Sequence, residues 1–414
     1  MIWLLACTGG EPRPSLVLIS VDTLRADFVY DHPWVQTPEL DALMATSVVF
    51  ERAYTAAPTT LASHTSLFSG RHPHTHGVPY NGVIVPEEEV LLAERLSGAG
   101  YHTGAVVGGF PLEERFGLDQ GFDDYAGPWR NAEAVTNVAL AWHGLHEDES
   151  FLFVHYWDVH HPWTPPEPWD HMYREDSLEL RPKKEVGSYR AKVSHRAEGW
   201  EELNRALQGS YGGAVSYVDH HIGRLLEGLD PDTIVVVVSD HGEVHHENKD
   251  AWSHGVDVHD TETRIPLVMH VPGWEPARRT ELVSNIDVTP TLLEILGLSA
   301  EGMEGQSLAR AHERAVYSEA TMPHRPRTDG SWANEGNCRA MWEGTWKAVQ
   351  CPFYRQPPEL FAMPDEDEPV AAEVDQAMQD ALTRWAKTTP AVMGQMATDE
   401  DTLGQLEALG YLLR

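Results

Sequence analysis

Basic side chains are scarce in this chain of 414 residues: 30 lysines and arginines stand against 64 acidic residues, and the formal net charge is −34. This charge excludes nucleic acid and an anionic membrane surface as partners, since both would be repelled. An anionic substrate would also be repelled unless a local cation attracted it. The imbalance is therefore a first, weak indication of a bound metal ion.

Cysteine is also rare, with three in the chain, which excludes a disulfide-dense scaffold. Cys7 closes the sequence Leu4-Leu-Ala-Cys7, which resembles the lipobox of bacterial lipoproteins. We expect residues 1–13 to be a leader and linker, with a lipid anchor at Cys7 and export to the periplasm or membrane surface. The apolar stretch is short, and no basic residues precede it as they do in a normal signal peptide. An uncleaved leader or an incorrectly assigned start codon is therefore the alternative. No other segment is apolar for long enough to cross a bilayer.

The other two cysteines flank a predicted β-hairpin. Gly344-Thr345 suits the two-residue loop of a type II′ turn, and counting outward from it places Cys338 opposite Cys351. This is a non-hydrogen-bonded pair, whose close approach is compatible with a cross-strand disulfide. A disulfide would indicate an oxidising compartment and agree with export, whereas a shifted hairpin would leave two free thiols.

Two short apolar runs lead directly to acidic residues. Residues 16–20 and 234–239 are rich in β-branched side chains, which is typical of strands covered on both faces of a parallel sheet. Asp22 follows the first run, and Asp240-His241 follows the second. Open α/β sheets bind ligands at the carboxyl ends of their strands, so both carboxylates are expected to face one crevice. Buried carboxylates need a partner, and a divalent cation is the best candidate.

Thr60 precedes a segment of helical length, residues 61–69, that stops at Gly70. The free amides and the dipole of a helix N-terminus favour negative charge, so this position suits an alkoxide and a bound anion. A metal ion that touched the same oxygen would make the hydroxyl more acidic and turn it into a useful nucleophile. Thr60 could instead be only the helix cap, since threonine is common there.

The pattern of the whole chain predicts an α/β protein in two parts. Residues 14–320 form a large domain, with further strands at 103–107, 151–157 and 264–271 and helices at 90–97 and 203–229. Residues 169–200 are polar, and their apolar residues follow neither the helical nor the strand period. We interpret them as a surface insertion. Residues 321–414 form a small α+β subdomain with the cysteine hairpin and terminal helices, including an acidic helix over 369–385.

Several motifs together resemble the sulfatase family of the alkaline phosphatase superfamily, over nearly the whole chain. They are Val21-Asp22-Thr-Leu-Arg-Ala-Asp27, Thr60-Leu-Ala-Ser-His64, Ser69-Gly-Arg-His-Pro-His-Thr-His-Gly77, Tyr156-Trp-Asp-Val-His160, Ser239-Asp-His-Gly-Glu243 and Ser253-His-Gly255. Each motif is weak alone, but their order and spacing are specific. The resemblance implies a large mixed, mostly parallel sheet sandwiched by helices. It also implies that residues 14–320 are the catalytic domain of an ester hydrolase.

The resemblance implies a metal site with one divalent cation, bound by Asp22, Asp240 and His241. Thr60 stands at the nucleophile position and is expected to be a further ligand. The carboxylates admit calcium, whereas His241 favours manganese or zinc.

The resemblance also implies substrate contacts. Asn81, His160 and His254 match positions that touch the substrate's non-bridging oxygens or its leaving group. His64 is a further candidate substrate contact. Asn81 could equally be a turn residue, and the histidines could be ordinary core residues.

The chain departs from the usual sulfatase pattern at the nucleophile. Sulfatases carry cysteine or serine at position 60, proline at 62 and arginine at 64, and convert the first to formylglycine; here these positions are Thr60, Ala62 and His64. Threonine is not a known precursor of that aldehyde, so no formylglycine is expected. Thr23 replaces the second acid of the usual Asp-Asp pair, and the lysine expected near residues 108–109 is absent.

The remaining pattern is similar to the threonine-dependent phosphoester, phosphonate and phosphoglycerol enzymes of the superfamily. We therefore expect a metal-dependent hydrolase that cleaves a phosphate or phosphonate ester, small or polymeric, through a covalent Thr60 ester. His254 or His160 would protonate the leaving oxygen. A sulfatase with an unusual nucleophile, or an inactive relative that binds an anionic ligand, are the alternatives.

Overall fold

The computed structural model describes residues 13–30, 32–128, 131–146, 148–174, 182–247, 252–310, 313–321, 337–352, 355, 357–364, 366, 369–370, 376–387 and 394–409, with the side chains of 182–187 excepted. The predicted leader and Cys7 lie outside these ranges.

Within them, the α-helices are α1 Pro38–Met44, α2 Thr60–Ser69, α3 Pro73–His76, α4 Leu92–Gly98, α5 Ala132–His143, α6 Pro182–Ser194, α7 Trp200–Leu226, α8 Asp260–Thr263, α9 Val288–Ile295, α10 Gln376–Trp385 and α11 Glu400–Ala408. The strands are β1 Leu16–Val21, β2 Val48–Phe50, β3 Ala53–Tyr54, β4 His102–Val107, β5 Asp124–Ala126, β6 Ser150–Tyr156, β7 Ile234–Ser239, β8 Val244–His245, β9 Trp252–Ser253, β10 Arg264–Ile265, β11 Leu267–His270, β12 Ala277–Arg279, β13 Val283–Ser284, β14 Val316–Ala320, β15 Cys338–Glu343, β16 Trp346–Gln350 and β17 Glu359–Ala362.

An eight-stranded sheet forms the centre of the large domain, in the order β12-β2-β11-β7-β1-β6-β4-β5. β11 runs antiparallel to β2 and β7, whereas the other neighbours are parallel. The predicted large mixed, mostly parallel sheet is therefore confirmed. β1 and β7 are adjacent, and Val21 lies opposite Ser239 at the carboxyl ends of both strands.

Helices cover both faces of this sheet. Along β1, Leu16 and Leu18 pack into the core that contains α2, α4 and α9. Val17 and Ile19 point to the other face and pack with α1, α5 and α7. Successive side chains of a strand alternate between faces, so a strand that is apolar at every position requires apolar cover on both sides.

A second sheet is antiparallel, in the order β14-β15-β16-β17, and α10 packs beside it. The predicted hairpin is confirmed: Glu343 pairs with Trp346 across a turn in which Gly344 has φ +58. Cys338 and Cys351 form a disulfide with their Cα atoms 4.0 Å apart. β14 pairs with β15, so this sheet begins inside the range assigned to the large domain.

The prediction for residues 169–200 was wrong in one respect. The segment stays outside the sheet, as predicted, but it contains α6. Of the described side chains of α6, Tyr189 and Val193, one turn apart, are buried against the core beside α7. Two described anchors are too few to produce a readable helical period. The described part of the acidic helix begins at Gln376, later than predicted.

Residues near the C-terminus return to the large domain. Residues 394–397 run beside residues 77–84, and the Ala397 N–H donates to Gly82 O over 2.9 Å. Because Asn81 lies in that loop, the C-terminal segment supports a predicted site residue. Among the described helices, none is both long and apolar enough to cross a membrane.

Gly82 provides a test of this packing. It has φ +92, and a Cβ built there would lie 2.5 Å from Cδ1 of the buried Leu406 in α11. Gly82→Ala should lower the free energy of unfolding by about 1–3 kcal/mol through backbone strain and by about 1–3 kcal/mol more through overlap. Gly273→Ala is the control, since Gly273 has φ +85 with open space around it. Urea denaturation with equal losses in both variants would contradict the role given to Leu406.

Candidate active site

Asp22 and Asp240 form the centre of the site. They follow adjacent parallel strands, β1 and β7, and their exposed fractions are 0% and 1%. The N–H groups of Thr23 and His241 donate to Asp240 Oδ1 over 3.0 and 2.7 Å. The structure thus brings together two acids that are far apart in the sequence, as predicted from the strand ends.

The site disfavours the charged form of Asp22. Burial raises the pKa of Asp22 well above its ordinary value, and the nearby Asp240 and Glu243 raise it further. The Thr60 hydroxyl is close enough to oppose this shift. A buried acid in this position requires either a proton or a cation, because a lone carboxylate is costly in a low-dielectric site.

The side chains present fit a divalent cation. Among the described residues, no hydrogen-bond partner reaches either carboxylate oxygen of Asp22, Asp240 Oδ2, His241 Nε2 or Thr60 Oγ1. One ligand atom from each of Asp22, Asp240 and His241 lies within 4.8 Å of the others. His241 Nδ1–H donates to Gly242 O over 2.9 Å, which leaves the Nε2 lone pair for a metal. Burial lowers the pKa of His241 to about 4, so the ring is neutral at pH 7.

Thr60 is the first residue of α2 and is fully buried. The cap position belongs to Thr59, and the Thr60 hydroxyl makes no capping bond. The alternative that Thr60 only caps the helix is therefore wrong. Asn81 instead binds a backbone N–H at the start of the helix: its Oδ1 accepts the Leu61 N–H over 2.7 Å. Within the described part of the chain, the buried Asn81 Nδ2 has no partner and remains a donor beside Thr60.

His64 does not have the predicted role. Its Nδ1–H donates to Thr60 O over 2.7 Å, and its Nε2 accepts from the Ser20 hydroxyl over 2.8 Å. Both ring nitrogens are thus used inside the protein, and the side chain is fully buried. This corrects the expectation that His64 contacts the substrate. Instead, His64 fixes the start of α2 against β1 and so positions Thr60.

His254 lies next to the candidate metal ligand His241, and His160 lies next to His254. The ring centroids of His241 and His254 are 4.6 Å apart, and those of His254 and His160 are 5.2 Å apart. His254 Nδ1–H donates to Glu243 Oε2 over 3.2 Å. Burial alone would raise the pKa of Glu243, but His254 holds it at about 2. His160 Nδ1–H donates to His161 O over 2.9 Å.

Comparison with known proteins shows the family of this chain. The family model for sulfatases matches residues 14–298. The chain belongs to the sulfatase family. An arylsulfatase of Clostridium perfringens is 26% identical over 380 residues, which cover 72% of this chain and 78% of that protein.

Two solved structures share the fold of this sulfatase-family chain. The phosphonate monoester hydrolase SpPMH from Silicibacter pomeroyi has a TM-score of 0.71 at 21% identity, covering 91% of this chain and 94% of its own. Ps i-CgsB in complex with k-i-k-neocarrahexaose has a TM-score of 0.72 at 19% identity, covering 97% and 98%. The protein is thus an ester hydrolase of a metal-dependent family.

The sulfatase-family site contains residues to which the sequence reasoning assigned no role. Glu243 and Arg25 stood inside the quoted motifs, and Arg25 Nη1 donates to Glu243 O over 3.1 Å. Thr23, at the position of the missing acid, has φ +56, which is strained for a β-branched residue. The Tyr211 hydroxyl donates to Thr23 O over 2.7 Å and supports this turn. These contacts orient the Asp22 and Asp240 loops.

His155 was also missed. It lies on β6 opposite Ser20 of β1, is fully buried, and its Nε2 is 3.4 Å from Asp22 Oδ2. Burial, with further contributions from His64 and His241, lowers its pKa well below the ordinary value. The available signal was one polar residue inside an otherwise apolar strand. That signal alone does not show what the side chain faces.

In metal-free protein, removing the charge of the buried Asp22 is expected to increase the free energy of unfolding rather than decrease it. The raised pKa of Asp22 means that the contribution of this carboxyl to the stability of metal-free protein falls as the pH rises above about 4, the ordinary carboxyl value. In chelator at pH 7, Asp22→Asn should therefore raise the free energy of unfolding, because it removes the charge that burial and the neighbouring acids disfavour. Added manganese should stabilise the wild type and have little effect on Asp22→Asn.

Urea denaturation between pH 5 and 8, with and without the metal, checks this prediction. Asp27→Asn is the control with the opposite sign. Partial burial would raise the pKa of Asp27, whose side chain is about half exposed, but the ion pair with Arg25 lowers it overall, so losing this charge should destabilise the protein. If Asp22→Asn were less stable than the wild type in chelator, the repulsion argument would be wrong.

Proposed function

We propose that this sulfatase-family hydrolase cleaves a phosphate or phosphonate ester through a covalent ester of Thr60. The observation that carries the proposal is the Thr60 hydroxyl, buried and without a hydrogen-bond partner among the described residues, beside the Asp22 carboxylate. A buried hydroxyl normally finds a partner, so one that lacks it among buried ionisable groups is a candidate nucleophile.

Thr60 can attack phosphorus in line with the leaving group. The new bond joins Thr60 Oγ1 to phosphorus, and the ester bond to the leaving oxygen breaks. Asp22 lies beside the Thr60 hydroxyl, and its carboxylate can accept the proton that the hydroxyl loses. Asn81 Nδ2 can donate to a non-bridging oxygen, since Asn81 is held at the same end of α2.

A divalent cation held by Asp22, Asp240 and His241 would supply positive charge for the oxygens on phosphorus. The fixed imidazole nitrogen of His241 favours manganese or zinc over calcium, which prefers oxygen ligands. This local charge would also counter the repulsion between an anionic ester and a chain of net charge −34.

His254 is the better candidate for the general acid. Its Nδ1–H is directed to Glu243, whose carboxylate can stabilise the protonated ring, so the opposite nitrogen can give a proton to the leaving oxygen. After the alcohol leaves, the same nitrogen can take a proton from the water that hydrolyses the threonyl ester. His160, with its ring centroid 5.2 Å from that of His254, is the second candidate.

The chemistry of Thr60 favours phosphorus over sulfur. A sulfated formylglycine hydrate releases sulfate by elimination, and an unmodified threonyl sulfate lacks that route. A threonyl phosphate ester needs only attack by water. Sulfate ester hydrolysis is the second candidate function, because the relatives of known activity include an arylsulfatase.

For the substrate, we propose only a broad chemical class. A small or polymeric anionic ester suits the site, and one structural neighbour was solved with an oligosaccharide. The disulfide between Cys338 and Cys351 supports export to an oxidising compartment, in keeping with the proposed anchor at Cys7.

Substitution of Thr60 tests the nucleophile. Thr60→Ala should lower kcat/KM for an aryl phosphonate ester and for aryl phosphate mono- and diesters by about 10³-fold or more, because the attacking oxygen is lost. Thr60→Ser should retain part of the activity, since it keeps a hydroxyl.

Thr65→Ala is the matched control for this test. It removes another buried hydroxyl of α2, one that donates to Leu61 O, and should change kcat/KM little. Equal kcat/KM values for the wild type and Thr60→Ala would contradict the assignment of Thr60 as the nucleophile. Turnover of aryl sulfate alone would sink the preference for phosphorus.

The leaving group tests His254. His254→Gln should reduce cleavage of an alkyl ester, whose leaving oxygen must be protonated, by about 10²–10⁴-fold. Cleavage of a nitrophenyl ester should fall far less, because nitrophenolate leaves without a proton. Parallel kcat/KM measurements on both esters provide the comparison. An equal loss for both would show that His254 acts on binding or structure.

A further inference from the structure

The predicted ligand set lacks one carboxylate, because Thr23 stands where the resemblance to sulfatases leads us to expect the second acid of a pair. We propose that His155 replaces it as a protein ligand of the cation. This inference deepens the proposed function, since it rests on the same cation site at Asp22, Asp240 and His241.

The fold places His155 beside the acid pair. β6 is the neighbour of β1 on the side opposite β7, and His155 lies in register with Ser20, two residues before Asp22. His155 Nε2 is 3.4 Å from Asp22 Oδ2, and a ring nitrogen of His155 lies within 4.8 Å of a carboxylate oxygen of Asp240. His155 is fully buried, and within the described residues neither ring nitrogen has a hydrogen-bond partner.

Each of the two imidazoles lies close to one carboxylate of the acid pair. His155 Nε2 lies 3.4 Å from Asp22 Oδ2, and His241 Nε2 also lies 3.4 Å from Asp240 Oδ2. Two atoms that bind one zinc ion tetrahedrally at about 2.0–2.1 Å are separated by about 3.3 Å. Each imidazole is thus paired with one carboxylate at the spacing that coordination requires.

Two other side chains compete for this role. His64 Nδ1 is 3.9 Å from Asp240 Oδ2, but hydrogen bonds to Thr60 O and to Ser20 occupy both ring nitrogens. The Thr23 hydroxyl is buried and has no hydrogen-bond partner among the described residues. A neutral hydroxyl is a weaker ligand than imidazole for manganese or zinc.

Two imidazoles and two carboxylates define the chemical preference of the site. Imidazole suits zinc and manganese, whereas calcium takes six to eight oxygen ligands. The ligand set Asp22, Asp240, His155 and His241 therefore selects zinc or manganese against calcium. The preference for zinc or manganese follows because an imidazole, that of His155, takes the place of a carboxylate.

Metal titration tests the inference on the full chain. After treatment with a chelator, zinc and calcium are titrated separately by calorimetry into the wild type, His155→Gln and the control His221→Gln. His155→Gln should bind zinc at least about tenfold more weakly and calcium almost unchanged. His221 is also buried, on α7, with its ring bonded to Arg224 Nη1, so its substitution should leave zinc affinity unchanged.

Unchanged zinc affinity in His155→Gln would overturn the proposal. The same holds if the isosteric Thr23→Val loses zinc affinity and His155→Gln does not. Should His155→Gln fail to fold, a crystal structure of the zinc-loaded wild type decides: His155 Nε2 is expected about 2.0–2.1 Å from the ion, and a ring beyond coordination distance contradicts it. Turnover of sulfate esters alone would defeat the proposed function but would leave these metal measurements standing.

Discussion

The repulsion between Asp22 and Asp240 is the constraint on which the site depends. Both carboxylates are removed from water at the ends of neighbouring strands, and two backbone N–H groups satisfy only one oxygen, Asp240 Oδ1. The other three oxygens have no hydrogen-bond partner among the described residues, and neither do the Thr60 hydroxyl and His241 Nε2. A cation would satisfy all of them at once, because it replaces the missing donors and cancels the repulsion.

Much of the surrounding structure holds these groups in place. The strained turn at Thr23 directs its N–H to Asp240, and the Tyr211 hydroxyl binds the carbonyl of the same residue. His64 ties the start of α2 to Ser20 of β1, so the nucleophile candidate and Asp22 are positioned by one side chain. Such strain and such buried polar bonds are costly alone and persist where the site requires a fixed geometry.

The features that could be predicted from the sequence are those set by local pattern. The apolar runs before Asp22 and Asp240 predicted buried parallel strands, and the turn at Gly344 predicted the pairing of Cys338 with Cys351. Helix α6 escaped prediction because its described buried anchors are few, Tyr189 and Val193. The role of His64 was wrong because a hydrogen bond to Ser20, 44 residues away, is invisible to periodicity. Glu243 and His254 both stood in quoted motifs, but the hydrogen bond between them was not predicted.

The sequence by itself determined which residues are acidic, where the strands end, and that threonine stands at the nucleophile position. Those properties are local, since they depend on residue type and on the period of neighbouring side chains. Only the tertiary structure decided that His155 faces the acid pair while His64 does not face the substrate. Both are histidines in buried elements, and their roles differ because the adjacent strands and helix supply hydrogen-bond partners to His64 and none that the structure describes to His155.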